Sequence, residues 1–347
     1  MSLNWPGGLI RKTPVTPAGP FENGAAPGVW TLAEAAYWTK QGLWPTAGNV
    51  ARGLFGGGPN TTPTNVIDYI IITSTGNATD FGDLTQASRL LAACSSSTRG
   101  VFAGGFNVSS VAINSISYVT ISSLGNAASF GDLTTTTANF GGCASSTRGI
   151  FTNGSRGGTT RTNVIDYITI ASTGNATDFG DSTAASYSSA SCASATRGVT
   201  GLGNDSLSSY NIMDYITIAS TGDATDFGDL NQPIDARTSC SNSTRGLFLG
   251  GNLLATSAPQ NVIDYITIAS TGNATDFGDL TVARRNASSC ANSTRATCGG
   301  GFIFSPSTQY NVIDYVTIAS TGNATDFGDL TSARGSLAAC SNAHGGL

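Results

Sequence analysis

Side chains able to do chemistry are few in this chain, and their spacing is unusual. It holds seven cysteines and a single histidine, His344, in 347 residues. Six cysteines (Cys94, Cys143, Cys192, Cys240, Cys290 and Cys340) recur every 48–50 residues. A zinc site wants clustered ligands such as C-x-x-C, which are absent. A disulfide needs Cα atoms within about 7 Å, closer than equivalent points on neighbouring repeats are expected to lie. Buried small side chains are the expected role, for Cys298 as for the other six. His344 stands near the last residue, at an expected frayed position, a poor base for a Ser-His-Asp constellation. The phrase G-N-A-T-D-F-G-D offers Asn77, Asp80 and Asp83 as oxygen donors, but without the alternating spacing of a calcium loop. Turn caps by Asn and Asp are expected instead. With no secretory signal ahead of them, its N-x-[ST] triplets read as turn chemistry rather than glycan sites. Asp205 and Asp235 are the non-repeated carboxylates on which a hydrolase would have to be built. No enzyme activity, cofactor or metal is expected.

Charged residues recur with the same beat. Arg99, Arg148 and Arg197 stand in S-x-T-R and Arg245 and Arg295 in N-S-T-R, with Arg52 completing the set. Carboxylates follow in two series, Asp68, Asp166, Asp214, Asp264 and Asp314, and Asp83, Asp132, Asp181, Asp229, Asp279 and Asp329. A group needed once per repeat suits joints between repeats, so bidentate Arg–carboxylate pairs are expected there. Ser117 replaces the first-series aspartate in the second copy, where the joint should differ.

The elements that carry these residues follow from the repeat itself. Tyr69, Tyr118, Tyr167, Tyr215, Tyr265 and Tyr315 mark six copies, 48–50 residues apart. Such a period indicates a propeller, solenoid or array. Each copy reads as four strands: a small-sided strand like S-S-C-A-N, then R-G-L-F-L-G-G, then N-V-I-D-Y-I-T-I-A-S closing at T-G-N, then A-T-D-F-G-D-L. Four strands in about 49 residues match one propeller blade. The last copy stops after C-S-N-A-H-G-G-L, where a second strand is due, and that strand appears early as R-G-L-F-G-G-G at 52–58. Ends that complete one another predict a closed ring without free edges. The expected fold is all-β: a six-bladed β-propeller of four-stranded blades over 49–347, closed by an N-terminal strand.

The R-G-L-F-x-G-G strand, the V-I-D-Y strand, the outer-strand aromatic and the T-x-A-R that follows resemble kelch-type repeats. Double glycines stand at Gly57/Gly58, Gly104/Gly105, Gly250/Gly251 and Gly299/Gly300. The usual tryptophan soon after the tyrosine is missing; Phe81, Phe179, Phe227, Phe277 and Phe327 come twelve residues later. Some kelch-type propellers are copper oxidases, and the histidine ligands that this resemblance would require are absent here.

Residues 1–48 break the pattern, with six of the 11 prolines and all four tryptophans. Extended chain is expected to about residue 28, then one short helix over about 31–41, with Thr31 as N-cap, Glu34 completing a capping box and Gly42 as the stop. Trp5, Trp30, Tyr37, Trp38 and Trp44 are candidate anchors, either on the ring or on a partner. The segment G-V-W-T-L-A-E-A-A-Y-W-T-K-Q-G-L-W-P-T resembles segments of structural proteins of tailed bacteriophages, especially those infecting marine cyanobacteria. That resemblance implies a virion component (a fibre, decoration or attachment protein) held in a multi-copy assembly by other virion proteins.

Only 11% of residues are charged, the net charge is −5, and the two lysines, Lys12 and Lys40, both lie in the arm. No basic run suits nucleic acid, and no apolar stretch reaches the roughly 18 residues of a membrane span. What differs from copy to copy is the segment between second and third strands: 58–64, 105–113, 154–162, 201–210, 251–260 and 300–310. These loops should crown one face of the ring. Tyr210, Leu253, Leu254, Phe302, Ile303 and Phe304 are the candidate contacts for a host-surface protein or glycan. The reading from a different class is a soluble, lectin-like propeller with pockets between blades.

Overall fold

Alternate residues of V-I-D-Y-I-T-I point to opposite faces of a strand, and both faces are apolar. Such a strand must be covered on both sides, which a stack of sheets around an axis achieves. The computed structural model describes residues 4–5, 8–9, 31–40 and 50–347, the last span without 60, 61, 158, 159, 206, 305 and 306. The chain divides into two units, Met1–Val50 and Ala51–Leu347.

The second unit is a six-bladed β-propeller of antiparallel four-stranded sheets. Blade 1 joins Ala338–Ser341 to Arg52–Gly56, Val66–Ile71 and Thr79–Asp83; blade 2 contains Ala92–Ser95, Arg99–Ala103, Ser115–Thr120 and Ala128–Asp132. Blade 3 contains Gly141–Ala144, Arg148–Thr152, Thr160–Thr169 and Thr177–Ser186; blade 4, Ala190–Ala193, Arg197–Gly201, Ile212–Thr217 and Thr225–Asp229. Blade 5 contains Thr238–Ser241, Arg245–Leu249, Val262–Thr267 and Thr275–Asp279; blade 6, Ser288–Ala291, Arg295–Gly299, Val312–Thr317 and Thr325–Asp329. Closure is as the termini imply: Leu54 pairs with Cys340 and Phe55 with Ala339. The innermost strands form an unbroken ring around the axis.

The core lies between blades, in six apolar clusters, one per joint. In blade 1, Ile67 and Tyr69 pack toward blade 2, whereas Ile70 and Ile72 pack toward blade 6. The repeated thiols are wedged into these joints. A Cβ added to Gly149 would meet the Cys94 Sγ at 2.5 Å, and one on Gly246 would meet the Cys192 Sγ at 2.5 Å. At five of the six joints the glycine after the repeated arginine thus makes room for the neighbour's sulfur; Ala296 stands at the sixth. All seven cysteines are free and buried, and burial pushes Cys143 and Cys290 up to about 12.

The repeated phrase itself clasps blade to blade. Gly125 N–H donates to the Phe81 carbonyl at 2.9 Å and Ala127 N–H to the Asp83 carbonyl at 2.7 Å. Asp83 N–H donates back to Asn126 Oδ1 at 3.0 Å. The same three bonds recur at all six joints, with Asn77, Asn175, Asp223, Asn273 and Asn323 as the other side-chain acceptors. The expected local turn caps are therefore acceptors for the neighbouring blade. They cover the outer strand's otherwise open edge.

The repeated arginines also bind neighbours, but not through carboxylates. Arg99 Nη1 donates to the Ile170 carbonyl at 2.9 Å, and its guanidinium lies 4.6 Å from the Tyr118 ring centroid. Arg148, Arg197 and Arg245 repeat both contacts. The carboxylates serve the opposite face, where each anchors the connector entering its own blade. Asp166 accepts from Thr134, and Asp214 from Thr183. The ion pairs use arginines of the connectors: Arg237–Asp264 at 2.6 Å, Arg284–Asp314 at 3.0 Å and Arg334–Asp68 at 3.0 Å, each through one nitrogen. The connector entering blade 2 differs, as Ser117 implies: there Gln86 Nε2 bonds Ser115 Oγ at 2.5 Å.

In the first unit, Asn4–Trp5 and Gly8–Leu9 form a small antiparallel ribbon. The helix runs Leu32–Lys40, one residue inside the expected limits at each end. Its capping box is present: Thr31 N–H donates to Glu34 Oε2 at 2.9 Å and Glu34 N–H to Thr31 Oγ1 at 3.3 Å. No described helix is long and apolar enough to cross a membrane.

Two predictions follow from these joints. A Cβ on Gly131 would overlap the Gly174 carbonyl of the next blade, whereas one on Gly174 meets nothing within 4 Å. Gly131→Ala should destabilise the ring by roughly 1–3 kcal/mol, as overpacking does, and Gly174→Ala should change it by under about 0.5 kcal/mol; denaturant titration of both measures the contrast. Asp214 has no cation beside it, and burial raises its carboxyl despite the opposing Thr183 hydrogen bonds. Its contribution to stability is present at low pH and is lost as pH rises through the folded-state value. Asp214→Asn should therefore raise the thermal midpoint by a few degrees at pH 7 and have little effect near pH 3.

Candidate functional site

The connectors between blades surround the channel mouth. Six residues at equivalent positions, Leu90, Asn139, Ser188, Ala236, Asn286 and Ser336, adopt left-handed φ of 49–60°. That region disfavours L-residues, and here backbone bonding between connectors holds it. Leu90 N–H donates to the Ser336 carbonyl, Asn139 to Leu90, Ser188 to Asn139, Asn286 to Ala236 and Ser336 to Asn286, all at 2.7–3.0 Å. Asn139 Nδ2 adds a bond to Ser188 Oγ at 2.7 Å. The mouth encloses about 90 Å³, well below the roughly 300 Å³ of a small-molecule pocket. Around this narrow mouth stands a rim.

That rim is built by the variable loops, which join second to third strands and so share one face. Those of blades 2 to 6 are tied at the base to the residue just before the left-handed position. Arg89 bridges to Phe106, Tyr187 to Asn204, Asp235 to Asn252 and Arg285 to Phe302; Ala138 pairs with Ser155. The side chains match across these pairs. Arg89 lies 4.9 Å from the Phe106 ring centroid, and Arg285 lies 5.5 Å from that of Phe302 and 4.3 Å from that of Phe304. Asp235 accepts from Asn204 and Asn252, linking the loops of blades 4 and 5. Burial raises the Asp235 carboxyl, with Arg285 opposing, and burial lowers Arg285 while Asp235 opposes.

The expected contacts are unequally placed. Phe304 is 58% exposed, on the outer side of Arg285. Phe302 is buried at 7% and supports it. Ile303, Leu253, Leu254 and Tyr210 are half-buried. Tyr210 O–H donates to Asp205 Oδ2 at 3.3 Å, while Asp205 Oδ1 caps the loop by accepting from Leu207 and Ser208. The more exposed tips are Leu207 at 88%, Val108 at 65% and Val111 at 57%, on blades 2 and 4. Among the arm residues, Tyr37 is 56% exposed and meets half-buried Trp38 edge-on at 5.1 Å. Trp30 and Trp44 lie outside the described residues, as does the side chain of Trp5.

Arg285 was the residue that motif reading passed over. Its signal lies in the connectors, where the residue just before the left-handed position varies (Arg89, Ala138, Tyr187, Asp235, Arg285, Gly335) and Arg occurs with Phe at the loop base both times. Among the described residues no three His, Cys, Asp or Glu side chains group so as to hold a metal. No family model matches the chain, and no curated protein matches it.

The Arg285–Phe304 stack makes a measurable prediction. A double-mutant cycle of Arg285→Ala and Phe304→Ala should give a coupling of about 0.5–1 kcal/mol, the size of a partly exposed cation–π contact. Strictly additive effects would show that the two side chains do not interact in solution.

Proposed function

We propose that the protein is a non-catalytic structural and recognition component, held by its N-terminal arm and presenting the loop face to a protein or glycan. One observation carries this reading. The polar groups written into every copy are used up in the joints, whereas the chemistry that differs between copies is gathered on one face. A rigid ring with individually built loops is the arrangement that recognition uses. Asp205 and Asp235, the carboxylates available to a hydrolase, both serve as hydrogen-bond anchors for loops.

The resemblance of the tryptophan-rich segment to tailed-phage structural proteins supports placing this component on a virion. Mass spectrometry of purified particles tests that placement directly. Deletion of residues 1–48 should leave a folded ring but abolish its incorporation into particles. A soluble glycan-binding role is favoured by one feature, exposed Phe304 braced on Arg285, since an aromatic face suits a sugar ring. In that case glycan-array binding survives the same deletion, and Phe304→Ala lowers it by about tenfold or more, the effect of losing an interface anchor.

A further inference from the structure

The far end of the channel, opposite the variable loops, is covered by residues 342–347. Asn342 Oδ1 accepts from Arg52 N–H at 2.8 Å in blade 1, and His344 Nε2 lies 2.7 Å from the Ser95 carbonyl in blade 2. Gly345 N–H donates to the Ser241 carbonyl in blade 5 at 2.9 Å. A Cβ on Gly345 would lie 2.8 Å from the Ala193 carbonyl oxygen of blade 4, and one on Gly346 would overlap the Ala144 carbonyl of blade 3. Six residues thus engage five blades, and two glycines let the backbone sit this close. Behind them is a cavity of about 50 Å³, lined by the six repeated cysteines and His344. His344 is thus docked rather than frayed.

The imidazole can serve this contact in only one protonation state. Gly346 N–H donates to His344 Nδ1 at 3.0 Å, so that nitrogen carries no proton, and Nε2–H is the donor to Ser95. An added proton on Nδ1 would face the Gly346 N–H, donor against donor. The titratable groups lining the cavity with His344 are thiols, and no carboxylate among the described lining residues could balance an imidazolium.

We propose that residues 342–347 are a pH-released plug: neutral His344 latches them across the thiol-lined end of the channel, and its protonation unseats them. Burial lowers the imidazole below its ordinary value of 6.5, with the Ser95 carbonyl opposing. The docked state therefore holds the proton less tightly than the released one. Docking is at full strength above about 6.5 and weakens as pH falls toward the docked value, by about tenfold in its equilibrium constant per pH unit.

The sole histidine gives one ring signal by NMR, which reports its titration in the full-length protein. Amide hydrogen exchange, corrected for the intrinsic rate at each pH, reads plug docking at Gly345 and ring integrity at Cys192 and Val199. The expected result is titration below 6.5, with Gly345 protection falling about tenfold per pH unit in that window while Cys192 and Val199 stay protected. His344→Ala should remove Gly345 protection at pH 7.5 and leave the ring amides unchanged. Gly345 protection that ignores pH overturns the proposal, as does protection retained in His344→Ala. Loss of tail and ring protection together overturns it equally, since the segment would then be part of the global fold.

Discussion

Each blade holds the one before it by its T-G-N-A turn, laid against that blade's D-F-G-D strand. This contact is head-to-tail: one surface of a copy meets a different surface of its neighbour. Such a joint closes only if every copy turns the chain by the same angle, and after six turns the first strand must arrive where the last sheet needs it. Ring closure at Leu54 and Cys340 is therefore a consequence of six equal joints. It also explains why the phrase hardly changes. A substitution in D-F-G-D must suit the preceding strand of its own blade and the turn of the next. Gly82, Gly131 and Gly228 have no room for a side chain because the neighbour's carbonyl already lies there. Where Asn gives way to Asp223, the replacement is still an acceptor for the same N–H.

The two faces of the ring differ because the joints are built twice. On the clasp face, the arginines of the second strands reach the next blade's carbonyls and stack on their own blade's tyrosines. On the loop face, the connectors bond to each other and to the first-series carboxylates. The variable loops hang from one connector position of their own blade and from recurring backbone bonds to the next connector, such as Gly105 N–H to the Thr137 carbonyl and Gly301 N–H to the Arg334 carbonyl. Their bases can change in matched pairs, Arg with Phe or Asp with Asn, without disturbing the clasps. Independence of this kind lets one face diversify on a constant scaffold.

The period, the four strands of each copy, the ring closure and the helix cap were legible because each rests on local pattern or on one repeated spacing. The partners of the charged groups were not. Arg99 and Asp68 recur with the same beat, yet they lie at opposite ends of their strands and never meet. Equal spacing shows that two groups are each needed once per blade; it does not show that they touch. The thiols were expected as buried small side chains, but the glycine that receives five of the six repeated ones belongs to the next copy. Phe302 and Phe304 look alike as loop aromatics, and only their burial, with Phe302 packed edge-on beneath exposed Phe304, separates support from contact.

The buried arginines show how far the loop-face joints may vary. Blades 1, 5 and 6 add Arg334, Arg237 and Arg284 to the threonine or asparagine that bonds the third-strand carboxylate, whereas blades 3 and 4 use the threonine and carry no such ion pair among the described residues. Each pair is monodentate and leaves guanidinium nitrogens without a hydrogen-bond partner. A buried pair with unmet donors adds little net stability, because desolvation offsets most of its Coulomb attraction. If these pairs set ring stability, blades 3 and 4 would need compensation elsewhere in the joint. Instead, the same three-bond clasp recurs at all six joints, with or without an arginine pair beside it. The arginine pairs are better understood as fixing the path of a connector, and with it the base of the loop beside it, than as holding the blades together.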